Sequence, residues 1–420
     1  MVHGKRAVSL TVAAALGAFS ANASASGFAI GIQSGSATGN AVAGGAAVAE
    51  DASVVWSNPA GMMHLTQSRQ LTVATHVFRP SFKFQNTGST GAFAGAGTGE
   101  GGDGGDWAYV PNTFTTLEIN PRLRFGFAIN VPYGLTTSYD QGWRGQLTAL
   151  KSKIQTINLN PAIAYRVNDM LSVGAGVSAQ YFKAELSSFS GAPALGNVNL
   201  KADDIGFGFN VGAMLQATPS TRFGASYRSK IKYSLDGDAS FTGPAGAAFN
   251  GSVSGDLTVP EMASFSVFHV VDPRWEVMAD ATWMGWDSVQ QLVVTRTTAS
   301  AGGPAGSTLT TLPFNWSNVW RFSVGANYRL NERVKLRTGI AYDETPTHDA
   351  TRTPRLPDQD RTWIAFGVQY RVPRAGVLEV GYAHEFIRDA NVDVAVGASN
   401  LRGRFDSRAD ILSLQYSHPF

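Results

Sequence analysis

From Leu171 to Tyr181 every second residue is apolar. Leu171, Val173, Ala175, Val177, Ala179 and Tyr181 share one face, and Ser172, Gly174, Gly176, Ser178 and Gln180 the other. The same two-residue period runs through Ile157, Leu159, Pro161, Ile163 and Tyr165, through Trp320, Phe322, Val324, Ala326 and Tyr328, and through Leu378, Val380, Tyr382 and Phe386. A period of two with one apolar and one polar face predicts strands of a sheet that separates two different environments. A soluble sandwich alternates as well, but three features favour a barrel in lipid. The strands run to about 12–20 residues, against about 5–6 in globular sheets. Aromatic residues (Tyr165, Tyr181, Trp275, Trp283, Tyr328, Tyr342, Tyr370, Tyr382) sit at the ends of the apolar faces, as interfacial girdles do. Short connections alternate with long ones, as periplasmic turns alternate with outer loops.

The short turns are Asn120-Pro121-Arg122, Asn168-Asp169, Pro219-Ser220, Asp272-Pro273, Asn331-Glu332 and Pro373-Arg374. Each joins two strands. Adding one strand near 69–84 and a last one at 404–420 predicts an all-β, 14-stranded antiparallel transmembrane barrel over 67–420. An even count suits closure, which leaves no strand edge facing lipid. The terminal Phe420 continues the apolar face of Leu412, Leu414 and Tyr416. It resembles the signal by which such barrels engage the barrel-assembly machinery.

Composition adds 46 Gly, 24 Phe and only 15% charged residues, with no Cys for a disulfide or a thiolate metal site. Residues 1–25 read as a secretory signal: Lys5 and Arg6, an apolar run from Ala7 to Phe19, then the small-x-small site Ala23-Ser24-Ala25. Removing Lys5 and Arg6 takes 33 basic against 31 acidic residues to 31 against 31, a balance that excludes electrostatic nucleic-acid binding. Residues 26–66 break the strand pattern. They are rich in small residues and too apolar for a disordered tail, so we expect them to form a plug, or hatch, inside the barrel.

At Ser57-Asn58-Pro59-Ala60-Gly61-Met62 the chain resembles the FadL/TodX family of outer-membrane transporters of fatty acids and hydrocarbons. Further stretches agree in the same order: Pro132-Tyr133-Gly134-Leu135, Thr156-Ile157-Asn158-Leu159-Asn160-Pro161 and Ser226-Tyr227-Arg228-Ser229-Lys230. Asp343-Glu344-Thr345-Pro346, running on to Arg361, is the most specific. The resemblance implies a hatch carrying the Asn58, Pro59, Ala60 motif, and a bacterial outer-membrane location. It also implies a lumenal pocket reached by Phe28, and a sideways exit through the wall at a kink in the third strand. The kink falls at Pro132, Tyr133 and Gly134. The residues agree, because Pro cannot donate to a ladder and a neighbouring Gly favours a bulge; a strand ending near the rim is the alternative.

The implied function is passive uptake of hydrophobic small molecules, long-chain fatty acids first, with outer-membrane lipid and lipopolysaccharide as surroundings. No cofactor is expected. Arg321, Lys335 and Arg337, on polar strand faces, are candidates to meet a carboxylate head; pairing with Glu379, Glu385 and Asp280 for barrel stability is equally open. The third outer loop, about Ser188 to Leu200, is short where fatty-acid transporters of the family tend to carry a long one. Aromatic or aliphatic hydrocarbons are therefore the alternative substrates. A lipid hydrolase with Ser and His on the outer wall and a water-filled porin are the other readings, but no Ser motif of the strained-turn type supports the first. The Glu100-Gly-Gly-Asp103-Gly-Gly-Asp106 stretch has one copy of a calcium-like repeat and reads as a flexible solvated loop. The His residues lack paired metal-ligand spacing.

Overall fold

The structure is a computed structural model that describes residues 26–95 and 97–420; the expected signal at 1–25 lies outside the described residues. After a small-residue N-terminal segment the chain is almost all strand. β1 (Arg69–Asn86), β2 (Ala108–Asn120), β3 (Leu123–Asn130), β4 (Gly134–Ser138) and β5 (Lys151–Arg166) come first. β6 (Leu171–Phe189), β7 (Asn197–Thr218), β8 (Thr221–Arg228), β9 (Ile231–Phe241) and β10 (Gly251–Val259) follow. Then come β11 (Met262–Val270), β12 (Trp275–Met284), β13 (Gln291–Arg296), β14 (Thr308–Pro313) and β15 (Val319–Arg329). β16 (Val334–Asp343), β17 (Arg361–Val372), β18 (Gly376–Ile387), β19 (Ala390–Val396) and β20 (Ser399–Pro419) complete the set.

These 20 segments make a closed barrel of 14 antiparallel strands, because six wall strands are each split in two by a bend or break. β3 with β4, β8 with β9, β10 with β11, β12 with β13, β14 with β15 and β18 with β19 are the split pairs. Closure is made by β1 and β20, in register from Gln70↔Pro419 to Asn86↔Gly403. All six expected tight turns join neighbouring strands.

Burial follows the two-residue period, inverted relative to a soluble sheet. Phe207 (74% exposed), Val177 (60%) and Phe265 (57%) stand on the outer surface, whereas Thr72, His76, Asn158 and Ser413 are buried inside. Such an apolar band facing outward is stable only against lipid. Tyr181 is an exception on this face: it is buried, 5% exposed.

The N-terminal segment packs against wall strands from around the barrel. Its helix α1 (Gly35–Gly39) lies against β1, β16, β17, β18 and β20, its helix α2 (Val54–Ser57) against β2, β3 and β5, and its 3-10 turn Pro59–His64 against β3, β5, β6 and β7. Small residues allow this contact. A Cβ on Gly339 of β16 would lie 2.2 Å from the carbonyl of Asn40, and one on Gly212 of β7 would lie 2.0 Å from Asn58 Oδ1. Local capping fixes the shape. Ser34 Oγ accepts from Ala37 N at 3.1 Å, and Asn58 Oδ1 accepts from Ala60 N at 3.1 Å, with Pro59 preset for the first turn position. Asn58 also donates through Nδ2 to Ala46 O (2.8 Å) and Ala213 O (3.0 Å), so one amide ties the turn both to its own segment and to the wall.

The turn ends in His64, whose ring nitrogen lies 3.3 Å from Ser172 Oγ. Burial, helped by the cationic Arg222 and Arg166, pushes its pKa down to about 4. A depressed folded value means that docking of the turn is fully stable above about 6.5 and weakens as pH falls towards 4. Exchange of the Ala60–Leu65 amides, corrected for intrinsic rates, is expected to rise up to about tenfold per pH unit across that window. In His64→Gln the pH dependence should vanish; an unchanged profile in that variant would assign the effect to another group.

Candidate functional site

Phe28 is drawn into the upper lumen by its neighbours. Gly27 takes φ +64°, and a Cβ there would lie 2.8 Å from the Trp286 ring, so only glycine lets the chain pass. Gly27 N donates to Asp358 Oδ2 at 2.9 Å, and Ser26 Oγ donates to Glu344 O at 2.7 Å, which anchors this end to the 344–360 loop between β16 and β17. Phe28 then fills the middle of an aromatic cluster. Its ring centroid is 4.9 Å from Trp286, 5.6 Å from Trp316, 5.8 Å from Tyr133 and 6.5 Å from Phe182. Tyr233 extends the cluster beyond Phe182, at 4.9 Å. Its members come from β6, β9, the kink and two connections between strands, so no local pattern groups them.

The kink residues Pro132, Tyr133 and Gly134 sit where the wall ladder breaks. β3 pairs with β2 only as far as Thr113↔Ile129. β4 resumes pairing with β5 at Gly134↔Gln155, and Ala108–Asn112 of β2 pair with β1 alone. The N-terminal segment fills the vacancy with its own backbone: Ile30 N donates to Pro132 O (2.7 Å), Gly134 N to Phe28 O (2.9 Å), and Ala29 stands opposite Tyr133. Side-chain amides complete the seal. Gln33 Nε2 donates to Val131 O (3.1 Å), Asn112 Nδ2 to Gln33 O (3.0 Å), and Asn130 Nδ2 to Gln33 Oε1 (2.7 Å).

The outer half of the same break is covered by the Gly-rich first loop, which is ordered rather than a free solvated loop. Ser138 N donates to Gly104 O (2.9 Å) and Gly104 N to Phe82 O (2.8 Å), bridging β4 to β1. The Asp103 carboxylate accepts from Ser81 Oγ (2.7 Å), Phe82 N (2.8 Å) and Gly105 N (3.0 Å). Glycine is needed because the loop lies flat on the wall: a Cβ on Gly104 would meet the Tyr139 ring at 2.5 Å, and one on Gly105 the Pro80 carbonyl at 2.2 Å.

The three lumenal cations are all buried but differently committed. Lys335 Nζ meets Glu50 Oε1 at 2.8 Å and Glu276 Oε2 at 3.0 Å; Arg337 meets Glu50 Oε2 at 2.5 Å and Glu379 Oε1 at 2.7 Å. These two therefore fasten the N-terminal segment, through Glu50, to β16. Arg321 makes no salt bridge among the described residues. It donates to Thr282 Oγ1 at 3.5 Å, faces Asp280 and Asp343, and abuts Gly31, where a Cβ would lie 2.5 Å from its guanidinium. Residues that the sequence pattern did not single out are Glu50 and Gln33, while Asp103 and Arg228 stood in motif stretches without these roles. Their roles depend on partners far apart in the chain, which no spacing signal records. A cavity of about 130 Å³ lies between the segment and the wall, lined among others by Ile30, Trp56, Arg228, Met262, Asp280 and Arg321.

Comparison with known proteins gives consistent results. The family model for outer membrane protein transport proteins (OMPP1/FadL/TodX) matches residues 16–420. The chain is 27% identical to the long-chain fatty acid transport protein of Escherichia coli O6:H1 over 98% of each chain. It is 29% identical to outer membrane protein P1 of Haemophilus influenzae, over 89% of this chain and 88% of that one. The crystal structure of a Pseudomonas aeruginosa FadL homologue superposes with a TM-score of 0.85 at 27% identity, over 94% of this chain and all (100%) of that one. The P. putida toluene transporter TodX shares the fold, with a TM-score of 0.69 at 18% identity over 88% and 94% of the two chains.

Proposed function

The chain belongs to the outer membrane protein transport protein family (OMPP1/FadL/TodX), and from that premise we propose that it takes up long-chain fatty acids passively across the bacterial outer membrane. The ligand path runs from a lumenal pocket around Phe28 to a lateral opening at the Pro132, Tyr133, Gly134 kink. The observation that carries this reading is the break between β2 and β4, filled by Phe28–Ile30 rather than by a wall strand. One short stretch of chain thus occupies both the aromatic pocket and the wall gap, so a ligand that displaces Phe28 also frees the gap. Residues 26–66 act as the hatch, and Asn58, Pro59 and Ala60 fix its lower turn.

No bond is made or broken in this process. The driving force is burial of apolar ligand surface, roughly 25 cal/mol per Å², in an aromatic site that an aqueous channel does not offer. Arg321, without a salt bridge and beside the hatch, is the cation best placed to attract a carboxylate head. Lys335 and Arg337 serve the hatch through Glu50. Lipid and lipopolysaccharide contact the outer band, and Phe420, 63% exposed, is free to engage the assembly machinery. The connection between β6 and β7 is only Ser190–Gly196, which favours a second reading in which the substrate is an aromatic or aliphatic hydrocarbon.

The test is uptake of radiolabelled oleate and toluene by cells expressing the chain, with and without deletion of Asn58-Pro59-Ala60. Oleate uptake that the deletion abolishes supports fatty-acid transport through the hatch. Toluene uptake alone moves the assignment to hydrocarbons, and uptake of neither overturns the transport reading for both.

A further inference from the structure

Arg228, like Arg321, is a lumenal cation without a salt bridge among the described residues, but unlike Arg321 it faces no acid. It is buried, 9% exposed, yet no carboxylate lies within 4.0 Å of it among the described residues. Its guanidinium donates to Ser178 Oγ (3.0 Å), Trp56 O (3.1 Å) and, more weakly, Asn160 Oδ1 (3.4 Å). These neutral acceptors engage at most three of five donors. The guanidinium carbon lies 3.5 Å from the Trp56 ring centroid, a cation–π contact that holds the charge in place without neutralising it. A buried cation without a counter-ion is costly, and an arriving anion recovers that cost.

The surroundings supply the room and leave no competitor. Arg228 lines the cavity of about 130 Å³ between hatch and wall, with space for a carboxylate group. Three acids line the same cavity, and each is engaged elsewhere. Glu50 holds Lys335 and Arg337, Asp51 accepts from Ser36 and Gln415, and Asp280 accepts from Ser266 and Thr282 while facing Arg321. The cavity adjoins the aromatic cluster. Met262, directly opposite Arg228 across β8 and β11, packs against that cluster and also lines the cavity. The N-terminal segment Phe28–Ile30 touches both: Phe28 stands in the cluster and Ile30 lines the cavity.

We propose that Arg228 is an anion site on the hatch side of the aromatic pocket, which receives the carboxylate of an aliphatic acid once the segment Phe28–Ile30 has moved. The inference rests on the transport reading above and adds to it a substrate class: acids are held at a second station, and neutral lipophiles are not. Arg228 forms charge-assisted bonds to the carboxylate, while Trp56 and Ser178 keep the guanidinium aimed into the cavity.

Binding of oleate and of oleyl alcohol to the full-length protein in maltoside micelles, followed by tryptophan fluorescence, tests this. Arg228→Gln is expected to weaken oleate binding about tenfold to a hundredfold and leave oleyl alcohol within about twofold, with Arg228→Lys recovering most of the loss. Alcohol binding in the variant also shows that it is folded. Equal losses for both probes would mean that Arg228 only holds Trp56, and no loss for oleate would place the head group elsewhere; either result overturns the proposal and leaves the transport reading standing. Wild-type protein that binds neither probe would instead overturn that reading, and this proposal with it.

Discussion

Cells carrying Ala29→Cys together with Tyr133→Cys are expected to lose substrate uptake on oxidation and to regain it on reduction. The two residues face each other across the backbone bridge between the N-terminal segment and the kinked strand, flanked by the Ile30 N to Pro132 O and Gly134 N to Phe28 O bonds. That pattern is the non-hydrogen-bonded type of antiparallel pair, whose Cα atoms lie about 4.5 Å apart, within the span a disulfide accepts. The chain has no Cys of its own, so the bond has one possible pairing. If the gap must be vacated for a ligand to leave, the oxidised form should transport at least about tenfold less than the reduced form. That figure corresponds to holding back all but a minor population. The measurement is oleate uptake in the same cells before and after a membrane-permeant reductant. Equal uptake in both states would show that substrate passes without the hatch leaving the kink.

The second large effect concerns Glu50. Removing it strands both Lys335 and Arg337, which meet it at 2.8 and 2.5 Å in the lumen. Breaking a buried pair by deleting one partner costs about 3–5 kcal/mol, because the remaining charge stays buried. Here Glu276 and Glu379 still serve the two cations, so the loss falls mainly on the hatch, which makes no other salt bridge to the wall among the described residues, Asp51 only accepting from Gln415. Glu50→Ala is therefore expected to release the hatch from β16, raising ion conductance in planar bilayers severalfold and exposing 26–66 to thermolysin. Glu50→Gln, of nearly equal shape, should do the same and so isolate the charge. Unchanged conductance in both would mean that small-residue packing alone holds the hatch. Burial works against ionisation of Glu50, but Arg337 and Lys335 outweigh it and hold its carboxyl well below the usual carboxylate range. A depressed folded value contributes stability that is present above the unfolded value of about 4.5 and lost only at far lower pH. The clamp thus outlasts the mild acidification that loosens the His64 turn.

The wall was legible in the sequence because its rule is local. Alternation along one strand, as from Leu171 to Tyr181, reports which face meets lipid, and turn residues such as Asn168-Asp169 mark each reversal. The ends of the strands were less legible. β9, β10, β13 and β14 continue the wall strands of β8, β11, β12 and β15 with the same neighbours, and no period records where each strand breaks. The first outer loop was misread for a related reason. Glycine spacing looks alike in a solvated loop and in one pressed against Pro80 and Tyr139, and only the tertiary neighbour tells them apart. The lumen obeys neither rule. Polarity placed Arg321, Lys335 and Arg337 on inward faces, but which of them lacks an acid depends on Glu50, more than 280 residues away from the two it serves.

The missing stretch of ladder has a mechanical side. Wherever Phe28–Ile30 leave the kinked strand, the carbonyl of Pro132 and the amide of Gly134, both buried, lose their partners. Each such group costs on the order of several kcal/mol in hydrocarbon, and a bare strand edge invites pairing with any passing backbone. In the proposed path the gap thus carries its own return spring: the same two bonds that would break for it to open would pull it shut once a ligand had left.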